Sequence, residues 1–264
     1  HSSKVYVQLS ERMGLHDHLM VMNLTVTKIT MNLKSFAQCS KVVEASLNLL
    51  QDLAVGFMSG KLLLRLDAIK GTLLAHTPDH FPFLAHYVNT RNRTIFYATL
   101  GRLLFMDDSA EKFHAFMAPF GDLCDRLAAT DAHTFRTHEV KHTLIGLFRD
   151  LRGIASSANS RRTYGLLFDW MYPRHTGLLL RAMENFADDP QVSTPLLKFV
   201  AEFVLNKTQR LTFEPSSVNG ILLFREVSKL IVAYGQRVIS LPPPKPGSAE
   251  SYPTRFKGIW IALT

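Results

Sequence analysis

Disulfide chemistry has almost no material in this chain: of 264 residues only Cys39 and Cys124 are cysteines. They lie far apart and inside helical patterns, so both read as buried free thiols. Such usage suits a reducing compartment and excludes a disulfide scaffold. Long apolar runs are also missing. No stretch approaches the roughly 18 uncharged residues of a membrane span, and no charged-then-apolar leader opens the sequence, so no membrane insertion is expected. Alternating apolar–polar runs are too short for strands, which leaves all-α as the structural class. Phosphate loops are absent as well. Ser59-Gly60-Lys61 lacks the upstream glycine of a P-loop, and the segment from Gly146 to Gly153 has a helical pattern. Acidic residues are outnumbered, 22 against 30 lysines and arginines, for a net charge of +8 with 11 histidines besides. That balance fits an acidic protein surface, a nucleic acid or a membrane without choosing among them.

What is present is helix. Apolar residues make up 47 % and charged residues 20 %, enough for a substantial core and too apolar for bulk disorder. The stretch from Asp189 to Ile239 reads as two strongly apolar helices joined by a polar turn. Pro190 and Pro195 suit a helix start, where a proline loses no intrahelical bond. In the second helix Leu223, Val227, Leu230, Tyr234 and Val238 follow the spacing of a buried face, and Ile221, Leu222, Phe224, Ile231 and Val232 widen it. Arg225, Lys229 and Gln236 fall on the narrow polar strip that remains. A helix apolar over most of its circumference needs cover from its pair partner and from neighbouring pairs. That is the pattern of an α-solenoid of stacked helical hairpins.

The rest of the chain is punctuated in the same way. A short helix is expected from Lys4 to Met13, ended by Gly14, and Asp17 offers an N-cap for a helix to about Ala37. Ser40 is expected to cap a helix over 42–58, with Ser59-Gly60 as a break and 61–75 as the return. Residues 76–89, with Pro78 and Pro82, cannot hold a long helix. Helices are expected over 91–106, 110–128 (interrupted near Pro119), 134–158, 161–172 (stopped by Pro173) and 175–186. The run PPPKPGSAES at 242–251 reads as a solvated loop, and 252–263 begins another element. Helix starts near 40, 91, 135 and 190 recur every 45–55 residues, the period of HEAT-type units. The whole chain, 1–264, is expected to form about five to six helix pairs of a longer array.

Two constellations bear on chemistry. His138-Glu139-Val140-Lys141-His142 matches the HExxH string that places two imidazoles and a carboxylate on one helix face for zinc. Lys141 puts a cation where a dication would sit, and no third ligand follows at a suitable spacing. His138 and His142 are therefore read as a solvated helix face, with no metal, no cofactor and no enzymatic activity expected. The second constellation is electrostatic. Between Arg136 and Arg181 eight lysines and arginines face three carboxylates. Arginines at helix starts and turns reach a carboxylate-rich partner bidentately. The nearby aromatics sit at core spacing, so no direct nucleic-acid contact is expected.

The strings KHTLIGLFRDLRGIA, LFDWMYP, TPLLKFVAEFVLNKTQRLTF and SSVNGILLFREVSKLIVAYGQRVISL resemble the central part of a nuclear export receptor of the importin-β-like (karyopherin-β) family. TIFYATLGRLLFMDD and SSKVYVQLSERMGLHD resemble the part that precedes it. The departures are the PPPKPGSAES insertion and a shortened connector around His86 to Asn89. The resemblance implies a HEAT-repeat superhelix that binds protein cargo and Ran-GTP on its concave face, meets nucleoporins and shuttles between nucleus and cytoplasm. It carries no residue-by-residue ligand motif. The candidate contacts come from helix geometry, with the second helix of each pair (61–75, 110–128, 161–186, 218–240) lining the inner side. They are Arg161, Arg162, Arg174, Arg181, Arg225 and Lys229. The competing reading is a generic HEAT-repeat scaffold with no dependence on Ran.

Overall fold

The computed structural model describes residues 7–8, 11–12, 14, 17–107, 109–211, 218–242, 252 and 256–264. Among the described residues thirteen α-helices follow one another from His18 onward, and no strand occurs. The fold is all-α, of the helical-repeat solenoid class. The chain divides into two compact units, His1–Asp107 and Asp108–Thr264. The expected helix from Lys4 to Met13 falls largely outside the described residues, although 7–8 and 11–12 are helical and Gly14 takes a φ of +68°.

In the first unit, α1 (His18–Ser35) starts where the Asp17 carboxylate accepts from the Met20 amide at 2.7 Å. This satisfies one of the orphan donors of the first turn. Val26, Ile29 and Leu33 form its buried stripe. α2 (Ser40–Val55) packs on α1 and on α5 (Asn92–Met106), while α4 (Asp67–Leu74) packs back on α1. Two layers result, α2–α5 and α1–α4. The connector between α4 and α5 is irregular, as its prolines require. Its Phe81 and Phe83 are nonetheless fully buried, each with its ring centroid 5.3 Å from that of Phe96.

Several boundaries differ from the sequence expectation. Ser40 is the first residue of α2 rather than its cap, and the preceding Cys39 is exposed rather than buried. The break falls at Gly56, so Ser59 and Gly60 lie inside α3 (Phe57–Leu63). A methyl group on Gly60 would meet the Met106 thioether at 2.5 Å. Its glycine thus serves the close approach of α3 to α5, not a turn. The return segment 61–75 is divided between α3 and α4.

In the second unit, α6 (Ala110–Ala129) is capped by Ser109 and runs without interruption through Pro119. α11 (Pro190–Val204) likewise continues through Pro195, which is buried inside the helix and not at its start. In both helices apolar burial on either side outweighs the roughly 3 kcal/mol that an interior proline costs. The single turn α7 (Ala132–Phe135) precedes α8 (His138–Ser157), which the sequence joins into one helix. The Thr137 hydroxyl caps α8 and separates the two. α9 (Arg161–Met171) ends before the cis Tyr172–Pro173 bond, and α10 (Thr176–Phe186) completes that half of the hairpin. α12 (Asn219–Ile239) and α13 (Lys257–Leu263) follow. First helices stack as α8–α11–α13 and second helices as α6–α10–α12. The expected loop at 242–251 lies outside the described residues beyond Pro242.

α12 corrects the expectation of all-round burial. Leu223, Leu230, Tyr234 and Val238 are buried, but Ile221, Phe224 and Val232 are 67 %, 74 % and 55 % exposed, and Ile231 is also exposed. The helix buries one stripe and leaves a second apolar stripe open.

A polar register runs through both units at one repeat's separation. In the first, Asn89 donates to the Ala37 carbonyl and Lys61 donates to that of Met106 at 2.7 Å. In the second, Arg181 Nη1 reaches the carbonyls of Leu127 and Ala128 at 3.2 and 2.9 Å, and Lys207 Nζ reaches that of Ser156 at 2.9 Å. Arg210 Nη1 bonds Ala155 and Ala158, both at 2.9 Å. These partners are 45–55 residues apart. The ties complete helix C-termini, where four carbonyls lack intrahelical donors and where a cation also meets the negative end of the helix dipole.

Candidate interaction surface

The second-helix layer of the Asp108–Thr264 unit carries a line of charged and polar groups. It begins on α6, where the Asp125 carboxylate pairs with Arg174 from the turn before α10. The imidazole of the next residue, His175, is buried, with Nδ1 3.8 Å from Asp125 and its ring centroid 4.5 Å from that of Trp170. Its Nε2 has no hydrogen-bond partner. Burial lowers the His175 pKa below its ordinary value. Asp125 opposes that shift and Arg174 adds to it, so the neutral ring is the favoured form.

The line continues through Tyr172, the residue before the cis bond. Its hydroxyl accepts from Arg225 Nη2 of α12 at 2.8 Å. Arg225 Nε also donates to Glu226 at 2.8 Å, and Lys229, one turn on, reaches both Glu226 oxygens at 3.1 Å. Burial alone would raise the Glu226 pKa, but hydrogen bonds from Lys229 and Arg225 hold the carboxyl below its usual range. Asp125, Arg174, Tyr172, Arg225, Glu226 and Lys229 thus link α6, the α9–α10 turn and α12.

The other sequence-selected residues lie elsewhere. Arg161 and Arg162 are exposed at the start of α9, where Arg161 Nε donates to the Gln209 carbonyl at 3.4 Å. Helical residues 163–171, at about 1.5 Å each, separate them from Tyr172. Arg181 is half-buried, with its guanidinium over the Phe135 ring at 4.0 Å and its donors on the end of α6. Its geometry is that of a helix cap. Arg237, which sequence reasoning passed over, pairs with Asp188 at the end of α10. His138 is exposed at the first position of α8, and Lys141 forms an ion pair with Asp189 at 2.5 Å.

The carboxylates are what the sequence reading missed. Glu226 stands beside Arg225 in the chain, but its simultaneous hold on Lys229 depends on the helix. Asp125 lies 49 residues before Arg174. A carboxylate one period before each cation is the signal that could have found such ties.

Comparison with known proteins agrees with this architecture. A family profile described as "Exportin-7-like, TPR domain" matches residues 1–92. The observed ties repeat at about 50 residues, closer to HEAT-type units than to the 34 residues of a tetratricopeptide unit. Over all of its length the chain is 42 % identical to Exportin-7-B of Xenopus laevis and 42 % identical to Ran-binding protein 17 of Homo sapiens, covering 25 % of each. It is 39 % identical, over 99 % of its length, to Exportin-7 of Dictyostelium discoideum, covering 26 % of that protein. No solved structure matches it significantly. The chain spans about a quarter of the length of these curated relatives. The chain thus matches a portion of exportin-7.

Proposed function

We propose that the chain is a segment of a nuclear export receptor and that its second-helix layer contributes to binding protein cargo and Ran-GTP. The reading rests on one observation beyond the family: Arg174, Arg225 and Lys229 are held on adjoining second-helix elements by ordered partners. Cations brought together in this way can meet several carboxylates on a partner's surface at once, the guanidinium groups bidentately. Arg161 and Arg162, exposed at the start of α9, form a separate cationic patch of the same unit. Shuttling between nucleus and cytoplasm, with transient contacts to nucleoporins, follows from the same role.

Association through such groups is salt-sensitive and faster at low ionic strength. The test is a titration of the full-length receptor with Ran loaded with GTP or GDP, alongside the double charge reversal R225E/K229E. Selective binding of the GTP form, weakened at least tenfold by the reversal, is expected. Equal binding of the two nucleotide forms would favour a Ran-independent scaffold. Unchanged binding in R225E/K229E at low salt would remove this pair from the surface.

A further inference from the structure

The cations of α12 are not presented naked. Arg225 has two ways to grip a carboxylate bidentately, and the Nε/Nη2 edge is occupied, Nε by Glu226 at 2.8 Å and Nη2 by the Tyr172 hydroxyl at 2.8 Å. Lys229 Nζ straddles the two oxygens of the same glutamate, 3.1 Å from each. The exposure is uneven. The Glu226 side chain is 19 % exposed, against 53 % for Arg225 and 49 % for Lys229. The glutamate is the more enclosed of the three, and with Thr176, Leu179, Leu180 and Val227 it lines a cavity of about 30 Å³ between α10, α11 and α12. The two cations project outward from it. Together the three residues carry one net positive charge where two cations stand.

We propose that Glu226 is an intramolecular stand-in for a partner's carboxylate: it occupies Arg225 and Lys229 in the unbound chain, and an acidic partner must displace it to engage them. This deepens the reading of the second-helix layer as a recognition surface and rests on it. The device has a physical use. A half-neutralised pair attracts stray anions weakly. A partner whose carboxylates match the spacing of Arg225 and Lys229 competes successfully, because it brings further contacts that a lone glutamate lacks. Glu226 therefore sets specificity through like-charge exclusion and competition, not by touching the partner. The opposite role, in which Glu226 strengthens binding by holding the cations in place, predicts the opposite sign for its removal.

The experiment uses the 264-residue chain and a fluorescent polyglutamate peptide as the acidic probe, read by anisotropy at low and near-physiological salt. Glu226→Gln keeps the shape of the side chain and removes its charge. It is expected to bind the probe about three- to tenfold more tightly than the parent, the scale of two partly exposed ion pairs released from competition. Its binding should also depend more steeply on salt. Glu226→Ser, which empties the position, is expected to shift affinity in the same direction. R225E/K229E is expected to lose binding whatever stands at 226. If R225E/K229E weakens binding but both Glu226 variants bind equally or less tightly than the parent, the stand-in role is overturned and the recognition surface survives. If R225E/K229E also binds as the parent does, both are overturned.

Discussion

The guanidinium of Arg210 lies over the ring of Tyr164, its central carbon 4.9 Å from the ring centroid. The Tyr164 hydroxyl donates to the Phe203 carbonyl at 2.8 Å. Arg210 itself is buried and donates to the carbonyls of Ala155, Ala158, Leu205 and Glu202. One side chain thus closes the end of α8, the end of α11 and the turn after it. Burial lowers its pKa somewhat, opposed by Tyr164 and Glu202, yet guanidinium remains charged at any working pH. Arg210→Leu keeps the apolar contact with Tyr164 but strands four carbonyls. It is expected to cost about 3–5 kcal/mol, visible as a large drop in the urea midpoint. Arg210→Lys should recover only part of this, since one ammonium cannot span all four acceptors.

The two thiols should react very differently. Cys39 is exposed. Cys124 is buried, and burial with the neighbouring Asp125 charge pushes its pKa up to about 12. The thiolate is the reactive form. A disulfide reagent at mildly alkaline pH should therefore modify one cysteine promptly and the second only at the rate of unfolding. Prompt modification of both would contradict the placement of Cys124 in the α6 core.

His175 gives a pH dependence of defined sign. Its folded-state pKa lies below the unfolded value of about 6.5, so the unfolded chain binds more protons in that window. Stability is fully present above about pH 6.5 and is lost as pH falls towards the folded-state pKa, by at most about 1.4 kcal/mol per pH unit. Urea denaturation at several pH values, on the parent and on His175→Gln, isolates this contribution from the other histidines. The substitution should flatten the acid side of the profile. An unchanged slope would show that His175 titrates normally.

The two stripes of α12 should respond oppositely to truncation. Leu230 is buried against α10, and Leu230→Ala is expected to cost 2–5 kcal/mol. Phe224 is 74 % exposed, and Phe224→Ser is expected to change stability by less than about 0.5 kcal/mol while improving solubility. Thermal melts of the two variants, side by side, make the comparison.

Much of this fold was legible because an amphipathic helix repeats every 3.6 residues. The buried positions Leu144, Leu147, Phe148, Leu151 and Ile154 of α8 follow directly from that period, as does the stripe of α12. Asp17 was legible as a cap because no other small polar residue competes with it. At Ser40 and Ser59 such competition misleads. Ser40 follows an equally plausible boundary, and Ser59 lies three residues beyond the real one at Gly56. Periodicity also cannot tell an apolar residue covered by a neighbour from one left open, which is why Phe224 and Ile221 read as buried. The charged line was only half legible. Arginine at a turn is visible in a sequence, but the carboxylate it meets lies a full repeat away, and pairing at that distance is decided by stacking.

The lateral ties have a direction in the second unit. The last carbonyls of α6 are completed by Arg181 and those of α8 by Lys207 and Arg210, in each case by a cation that comes later in the chain. A ribosome makes the amino end first, so each of these helices emerges with a ragged end that water must solvate until the following hairpin arrives. Maturation of α6 and α8 is thereby vectorial: the following hairpin finishes each of them, and a nascent chain halted between Ser157 and Lys207 holds α8 without the side chains that close it.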